Sequence, residues 1–383
     1  MDAVTRLLSD LVAIPSVNPM GRALHGPGVY EAGMTEYLER FFRDVGSTCT
    51  RQPVAPGREN LVARYEAPQG RHLLLFDAHQ DTVPTDGMTI DPFVPKIEGR
   101  RLYGRGSCDI KGGMAAMLTA FARLVRERPR GSCSVIMACT VDEEFTHLGS
   151  SYLAAQPLGA DLAIVAEPTK LDIVNCHKGA VRWKIQTQGV ACHSSSPHLG
   201  SNAIYRMAQV VAALAEHAQE LARSRPDPVL GPPTLSVGRI EGGQSVNVVP
   251  DWCVIEVDRR VIPGEVALEC PDRVMAWLRQ RLGGLDGIEW QPPWINLAPL
   301  EAKGTDTWVA AIREVVAGAT GRTPGVIGVP YGTDAGPLGE VGQPCIVFGP
   351  GDIAQAHTRD EWVDLDEVAT AAELYYRMAC TLG

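Results

Sequence analysis

The sequence predicts an α/β fold in which a discontinuous domain, with a mixed central sheet flanked by helices, is interrupted by an inserted α+β domain. Apolar runs alternate with helical patterns in the first part of the chain, which is typical of a parallel or mixed sheet. This pattern changes near residue 179 and returns near residue 308. The chain has 383 residues, more than the ~50 to 200 residues of a typical single domain. We predict residues 1–178 and 294–383 for the first domain and residues 179–293 for the inserted domain.

The first domain is predicted from apolar residues at helical spacing and from short, uninterrupted apolar runs. Pro15 and Pro129 end two of the helical patterns, and the glycine-rich loop 104–113 leads into the second of them. The predicted elements of this part are a helix at 4–12, strands at 73–79, 134–141 and 162–166, and a helix at 114–128.

The inserted domain is predicted from alternating apolar residues, which indicate half-buried strands, and from longer amphipathic stretches. Its predicted elements are strands at 181–187 and 253–257 and helices at 203–223 and 265–281. A helical pattern at 308–316 and an apolar run that begins at Cys345 then resume the pattern of the first domain.

Charge and composition exclude several classes of function. The formal net charge is −10 and the chain has no basic run, which argues against a nucleic-acid or anionic-membrane partner because both need a basic surface. The ten cysteines form no Cys-x-x-Cys pair and many lie in apolar stretches, which predicts free, buried thiols. Asp2, Arg6 and Asp10 interrupt the N-terminal segment, and no apolar run approaches the ~20 residues of a membrane span. We therefore expect a cytoplasmic protein without a membrane segment.

Histidine or carboxylate residues follow the ends of four predicted strands. They are His79, Glu144, Glu167 and His357, and Asp109 lies in the glycine-rich loop. In open α/β sheets ligands bind beyond the carboxyl ends of the strands, so these residues can converge there. Two imidazoles and three carboxylates suit zinc, cobalt or manganese. If Asp109 bridges two divalent ions, each ion also receives one His and one Glu and keeps an open position for a shared water, which predicts a metal-dependent hydrolase.

Two further acidic residues lie beside these predicted ligands. Glu143 follows a buried strand and precedes Glu144, so we predict that it acts as general base on the metal-bound water and passes the proton to the leaving amine. Asp81, two residues after His79, is predicted to orient the imidazole of His79. The remaining histidines lack this context and are predicted to be surface or satisfied core residues: His25, His72, His147, His177, His198 and His217.

Segments 78–84, 104–113 and 142–144 together resemble the metal-site motifs of the M20 family of metallopeptidases, the group that includes acetylornithine deacetylase and carboxypeptidase G2. The resemblance extends over most of the chain. It implies two zinc ions bridged by Asp109, a pairing that spacing alone does not decide. His79 and Glu167 would complete the ligands of one ion. Glu144 and His357 would complete those of the other.

Parts of the inserted domain resemble the lid of the same family, which implies a homodimer through this domain. The resemblance implies that His193 reaches the active site of the partner subunit and stabilises the oxyanion. Asn247, Arg260 and Thr333 lie in segments similar to those that hold substrate in the family. Arg260 is the predicted carboxylate clamp because a guanidinium can bind a carboxylate in bidentate fashion. Neighbours on a strand point to opposite faces, so Arg259 stays open as the alternative.

Together these residues predict hydrolysis of a linear amide. The leading hypothesis is removal of the acyl group from an N-acyl amino acid, as in acetylornithine deacetylase, and cleavage of a dipeptide or of a C-terminal residue is the alternative. A third hypothesis, a non-catalytic binding protein, requires the loss of a base or a ligand, and every proposed group is present. Nucleotide-binding loops and a Gly-x-Ser-x-Gly serine hydrolase motif are not found in the sequence.

Overall fold

The structure is a computed structural model that describes residues 1–224 and 226–383, and it divides into two compact units. The first unit comprises Met1–Cys176, Leu300–Gly328 and Thr333–Gly383, and the second comprises His177–Pro299 and Val329–Gly332. Most of the second unit is therefore inserted into the sequence of the first.

The helices and strands of the described residues alternate in the first unit and are grouped in the second. The helices are α1 (Ala3–Val12), α2 (Ala32–Asp44), α3 (Gly112–Glu127), α4 (Leu148–Ala154), α5 (Ala203–Arg223), α6 (Cys270–Leu282), α7 (Asp306–Thr320), α8 (Ala335–Glu340) and α9 (Leu365–Thr381). The strands are β1 (Cys49–Ala55), β2 (Arg58–Tyr65), β3 (Leu73–His79), β4 (Lys96–Glu98), β5 (Arg101–Tyr103), β6 (Ser134–Thr140), β7 (Leu162–Val165), β8 (Ile173–His177), β9 (Gly179–Gln188), β10 (Cys192–His193), β11 (Thr234–Gly242), β12 (Val248–Val249), β13 (Trp252–Val261), β14 (Ile288–Trp290), β15 (Ile295–Leu297), β16 (Val326–Val329), β17 (Cys345–Val347) and β18 (Trp362–Asp364).

The larger sheet has the strand order β1-β2-β6-β3-β7-β17-β8-β16. Pairing is parallel from β6 through β3 and β7 to β17, and it is antiparallel between β1 and β2, between β2 and β6, and between β17 and β8. Every residue after the first in β3 and β6 is buried, which is why these strands read as continuous apolar runs in the sequence. The prediction of a mixed central sheet flanked by helices is confirmed.

Helices α1, α3 and α9 pack together in the core of the first unit. Leu8, Leu118 and Tyr375 are fully buried there. Helix α3 begins directly after the glycine-rich loop, where Gly113 lies so close to Ala166 that an added Cβ would meet the Cβ of Ala166 at 3.0 Å. The absence of a side chain at Gly113 therefore lets the start of α3 approach the segment that follows β7.

The second unit contains an antiparallel sheet in the order β11-β13-β9-β14, with β15 also paired to β9. Buried and partly exposed residues alternate along β13, as expected for a strand with one face in a core. Trp183, Ile255 and Met207 are fully buried between this sheet and α5.

One predicted helix of the second unit begins later than expected. The pattern at 265–281 predicted a single helix, but residues Ala267–Glu269 form a 3₁₀ turn and α6 begins at Cys270. Pro271 lies in the first turn of α6. Proline is favoured there because the first helical N–H groups have no partner within the helix, and this places the start of α6.

Within residues 1–224 and 226–383, no helix combines the length and the apolar content that crossing a lipid bilayer requires.

Candidate metal centre

The predicted ligands lie at one edge of the parallel part of the larger sheet. His79 is the last residue of β3, Glu144 follows the end of β6, and Glu167 follows the end of β7. His357 follows β17 in sequence, after a short 3₁₀ turn. Because these strands are neighbours and parallel, their carboxyl ends meet at the same edge.

These side chains form two groups that share Asp109. His79, Asp109 and Glu167 form one group, and Asp109, Glu144 and His357 form the other; within each group the potential ligand atoms lie within 4.8 Å of one another. Asp109 Oδ1 lies 3.2 Å from His79 Nε2, and Asp109 Oδ2 lies 3.2 Å from His357 Nε2. The two oxygens of one carboxylate therefore face different groups, as a carboxylate that bridges two cations must do.

The donor set fits two divalent cations. It contains imidazole nitrogens and carboxylate oxygens, which suit zinc, cobalt or manganese. The electrostatics agree with this, because burial raises the pKa of the Glu167 carboxyl well above its usual range and the charge of Asp109 raises it further. Burial, followed by the charge of Asp109, also raises the pKa of Glu144. Negative charge in the cluster thus exceeds what the protein itself neutralises, and two divalent cations would correct that excess.

The loop that presents Asp109 is held by a residue that the sequence analysis missed. The buried carboxylate of Glu361 accepts hydrogen bonds from the backbone N–H groups of Gly106 at 3.0 Å, Cys108 at 2.9 Å and Asp109 at 3.0 Å. Arg105 Nη1 donates to the same carboxylate at 2.6 Å. A lone Glu four residues after His357 carries no sequence pattern that indicates this contact.

Asp81 lies beside His79, but its contacts differ from the predicted ones. Nδ1 of His79 faces the main-chain oxygen of Asp81 at 2.9 Å, whereas the Asp81 carboxylate is 3.6 Å away. That carboxylate accepts hydrogen bonds from the backbone N–H groups of Glu143 at 3.1 Å and Glu144 at 3.2 Å. The side chain of Asp81 therefore fixes the Glu143–Glu144 segment, and its main chain faces the imidazole.

A buried ionic network supports the same segment from the other side. Arg58 donates to Asp142 Oδ1 at 2.5 Å and to Glu31 through two hydrogen bonds, one of 2.9 Å. Asn18 bridges Asp81 at 2.8 Å and Asp142 at 2.9 Å. All of these side chains are buried. Since Asp142 immediately precedes Glu143, the network determines where the two glutamates project.

Glu143, the predicted base, lies beside His79 but belongs to neither shared group. Its Oε2 is 3.9 Å from His79 Nε2, and its side chain is only 11% exposed. Burial raises the pKa of Glu143 well above its usual range, and the charge of Glu167 raises it further. His147, which the sequence analysis assigned to the surface or to a satisfied core, is buried next to Glu143 together with Asp334.

The predicted substrate residues lie in both units. In the first unit, Thr333 is buried and its hydroxyl accepts a hydrogen bond from the N–H of Ala335 at 3.2 Å. In the second unit, His193 is exposed on β10, with Nδ1 2.7 Å from Ser195 Oγ. Asn247 is also exposed.

Arg259 and Arg260 differ in their surroundings within the second unit. Arg259 is only 4% exposed and forms an ion pair with Glu265 at 2.5 Å. Arg260 is 28% exposed and pairs with Asp258 on its own strand at 2.9 Å. Of the two guanidinium groups, that of Arg260 is the more accessible.

Comparison with known proteins identifies the family. Residues 75–381 match the model of Peptidase family M20/M25/M40. The chain belongs to this family. It is 33% identical over 343 residues to an acetylornithine deacetylase of Vibrio atlanticus (strain LGP32), a match that covers 86% of each chain. M20 membership makes the chain a hydrolytic enzyme.

Solved M20 structures have the same fold. A metallo-carboxypeptidase of Sulfolobus solfataricus matches with a TM-score of 0.81 at 20% identity and covers 100% of this chain and 99% of that one. A dinuclear metal-binding peptidase of the M20 family from Bacillus subtilis matches with a TM-score of 0.70 at 16% identity and covers 99% of this chain and 97% of that one. The M20 fold thus extends over the whole of this chain.

The buried Arg58 network predicts a large loss of stability when its cation is removed. Arg58→Met should lower the free energy of unfolding by about 3–5 kcal/mol, because it leaves Glu31 and Asp142 as buried carboxylates without their cationic partner. Arg51→Met is the matched control: Arg51 is 33% exposed and pairs with Glu39 and Glu59, so its loss should cost less than about 1 kcal/mol. Urea unfolding measures both values. Equal losses at the two positions would contradict the role given to the buried network.

The buried carboxylates also predict that metal ions stabilise this M20 protein more strongly as the pH rises. Without metal, Glu143, Glu144 and Glu167 have raised pKa values in the folded state. Such groups destabilise the folded state increasingly as the pH rises above the unfolded value of about 4.3. Metal binding requires the ligands Glu144 and Glu167 to be deprotonated, and the cations balance the negative charge of all three carboxylates, so binding removes this cost. The increase in melting temperature caused by excess zinc, relative to chelator, should therefore be larger at about pH 7.5 than at about pH 5.

Two variants test whether this stabilisation arises at the shared carboxylate. Asp109→Asn should abolish most of the zinc-dependent increase in melting temperature, because both groups lose a charged ligand. Asp86→Asn, which changes an exposed carboxylate, should retain it. An increase that does not depend on pH, or that survives in Asp109→Asn, would show that zinc binds elsewhere.

Proposed function

We propose that the enzyme is a two-zinc amidohydrolase that removes the acyl group from an N-acyl amino acid. The observation that carries this proposal is the carboxylate of Asp109, whose two oxygens face His79 and His357 of separate ligand groups, with Glu143 beside His79. The match to an acetylornithine deacetylase at 33% identity favours an acylated amino acid as the substrate.

The five predicted ligands would hold the ions in the two groups described above, one with His79 and Glu167 and the other with Glu144 and His357. Two divalent ions held there would supply a Lewis acid for the acyl oxygen and a lowered pKa for the attacking water. Glu143 would take a proton from the attacking water as its oxygen bonds to the acyl carbon. When the carbon–nitrogen bond breaks, Glu143 would deliver that proton to the leaving amine. Asp81 would keep Glu143 and Glu144 in place through their backbone N–H groups.

We further propose that the first unit is the catalytic domain and that the second is a lid through which the enzyme forms a homodimer. The second unit exposes large apolar side chains, among them Tyr205 at 73% and Val246 at 99% exposure. Both line a groove of about 800 Å³ that also includes Ile204 and Pro197. Apolar groups exposed together are typical of an interface. His193, exposed in the same unit, would act on the oxyanion in the site of the partner subunit.

Substrate would be held by its carboxylate. Arg260 is the proposed clamp, because Arg259 is buried and paired with Glu265. Asn247 and Thr333 are proposed to contact substrate as well. Cytoplasmic residence remains a prediction from the sequence.

Cleavage of a dipeptide or of a C-terminal residue is the second candidate. A metallo-carboxypeptidase has the same fold, and the proposed groups act on any linear amide whose carbonyl reaches the ions. The two candidates differ in what occupies the acyl side of the scissile bond: a small acyl group in one case and an aminoacyl or peptidyl group in the other.

The first test is amine release from zinc-loaded enzyme with a panel of N-acetyl, N-succinyl and N-formyl amino acids and matched dipeptides. Turnover of the acyl substrates alone is expected, and turnover of the dipeptides alone would favour the peptidase candidate. Glu143→Gln should retain two metal ions and the fold but lower kcat by about 10²–10⁴, since it removes the proton-transferring group. Turnover like that of the wild type in Glu143→Gln would eliminate Glu143 as the base.

A mixing experiment tests whether His193 acts across a dimer. His193→Ala and Glu143→Gln should each be inactive alone, whereas subunits exchanged in equal amounts should recover about a quarter of wild-type turnover. Half of the dimers would then be mixed, and each mixed dimer would contain one complete site out of two. In the control for dilution, His193→Ala is mixed with Glu98→Gln instead of with Glu143→Gln, because Glu98→Gln changes only an exposed glutamate. Mixed dimers that form without recovering activity would contradict the role of His193 across the interface.

A further inference from the structure

A pair of buried side chains outside the two shared groups lies against Glu143. His147 is 8% exposed and Asp334 is 1% exposed. Nδ1 of His147 lies 3.0 Å from Asp334 Oδ1 and 3.8 Å from Glu143 Oε1. The other oxygen of Glu143, Oε2, lies 3.9 Å from Nε2 of the predicted ligand His79. The carboxylate of Glu143 is therefore located between two imidazoles, one on each oxygen.

The backbone at His147 is also unusual. His147 precedes α4 and has a φ of +56°, in the left-handed region. Its N–H donates to the main-chain oxygen of Asp142 at 2.7 Å. This turn directs the chain back over the Glu143–Glu144 segment, so that the imidazole of His147 packs against the carboxylate four residues before it.

Asp334 is fixed on several sides. Ser150 Oγ donates to Asp334 Oδ1 at 2.6 Å, and Thr140 Oγ1 lies 2.9 Å from Asp334 Oδ2. Thr140 also contacts Asp77 Oδ1 at 3.0 Å. Thr140 ends β6 and Asp77 lies within β3, so the position of Asp334 is set by the central strands of the sheet. A carboxylate held in this way can fix the orientation of the imidazole that bonds to it.

We infer that His147 and Asp334 are positioning residues for Glu143. Asp334 accepts the Nδ1–H of His147 and fixes the ring, and the ring edge lies against Glu143 Oε1, which keeps Oε2 turned toward the shared ligand groups. A glutamate has three rotatable side-chain bonds, and a base must be held within hydrogen-bond reach of the proton that it takes. This inference rests on the proposed role of Glu143 as the base.

The same geometry argues against a metal ion bound by Glu143, His147 and Asp334 in place of their direct contacts. Glu143, His147 and Asp334 have ligand atoms within 4.8 Å of one another, as a metal site requires. The oxygens of Asp334, however, already face Ser150, Thr140 and His147. A third metal ion per chain is therefore an outcome of the test that would overturn the inference.

The variants are chosen for the left-handed backbone at His147. His147→Gly removes the side chain without straining a positive φ. His147→Asn restores a donor near the position of Nδ1, and Asn tolerates this backbone region. Asp334→Asn keeps the size of the side chain but exchanges an acceptor for a donor. His72→Asn is the matched control, since His72 lies in the same unit just before β3, at the end of the strand opposite His79, and is 41% exposed.

Steady-state kinetics on the best acyl substrate, with metal content measured for each variant, should show a specific pattern. His147→Gly should lower kcat about 10- to 100-fold with KM and two metal ions per chain unchanged, and Asp334→Asn should lower kcat in the same direction. His147→Asn should recover much of the loss, and His72→Asn should behave as the wild type. Unchanged kcat in His147→Gly, or a third ion that this variant loses, would overturn the inference. If His147→Gly fails to fold, the same criteria apply to Asp334→Asn.

A double-variant cycle separates this inference from the proposed function. In the Glu143→Gln background, His147→Gly should lower the residual rate no further, because no base remains to be positioned. A further loss of the same size would show that His147 acts independently of Glu143, while Glu143 could still be the base. Wild-type turnover in Glu143→Gln would instead refute the proposed base itself, whatever the effect of His147.

Discussion

The repulsion among carboxylates buried at one edge of a sheet is the constraint on which the rest of this structure depends. Asp109, Glu143, Glu144 and Glu167 lie close together, and burial and mutual repulsion raise the pKa values of the three glutamates. Asp109 behaves differently: burial opposes its ionisation, but hydrogen bonds from His357 and His79 lower its pKa. A cluster of ionised carboxylates is costly in a buried site unless cations balance its charge. The arrangement is therefore intelligible as a site for two divalent ions.

Much of the surrounding structure keeps these charges in one geometry. Glu361 accepts hydrogen bonds from three backbone N–H groups of the loop that presents Asp109. Arg58 and Asn18 hold the turn before Glu143. These contacts join segments that are far apart in the sequence, and the parallel strands bring those segments to a common edge. The charges at the site are thus held in place by hydrogen bonds from several distant parts of the first unit.

The fold and the candidate ligands were predictable from the sequence, whereas the supporting contacts were not. His79 and Glu144 were found because each follows a run of buried strand residues, and that juxtaposition is visible in the sequence. Glu361, Arg58 and His147 were missed because each is a single polar residue without a repeating pattern around it. The start of α6 was misplaced because apolar spacing continued through a 3₁₀ turn that leads up to Pro271.

The sequence by itself determined the family, through the motifs of segments 78–84, 104–113 and 142–144. It also determined the mixed sheet and the chemical types of the side chains at the strand ends, since local periodicity reports which residues are buried. Only the tertiary structure decided that each oxygen of Asp109 faces a different ligand group, that Arg259 is buried and Arg260 more accessible, and that His147 meets Asp334. His147 and Asp334 are 187 residues apart. Contacts at such separations depend on how strands and loops pack in three dimensions, and no spacing rule along the chain encodes them.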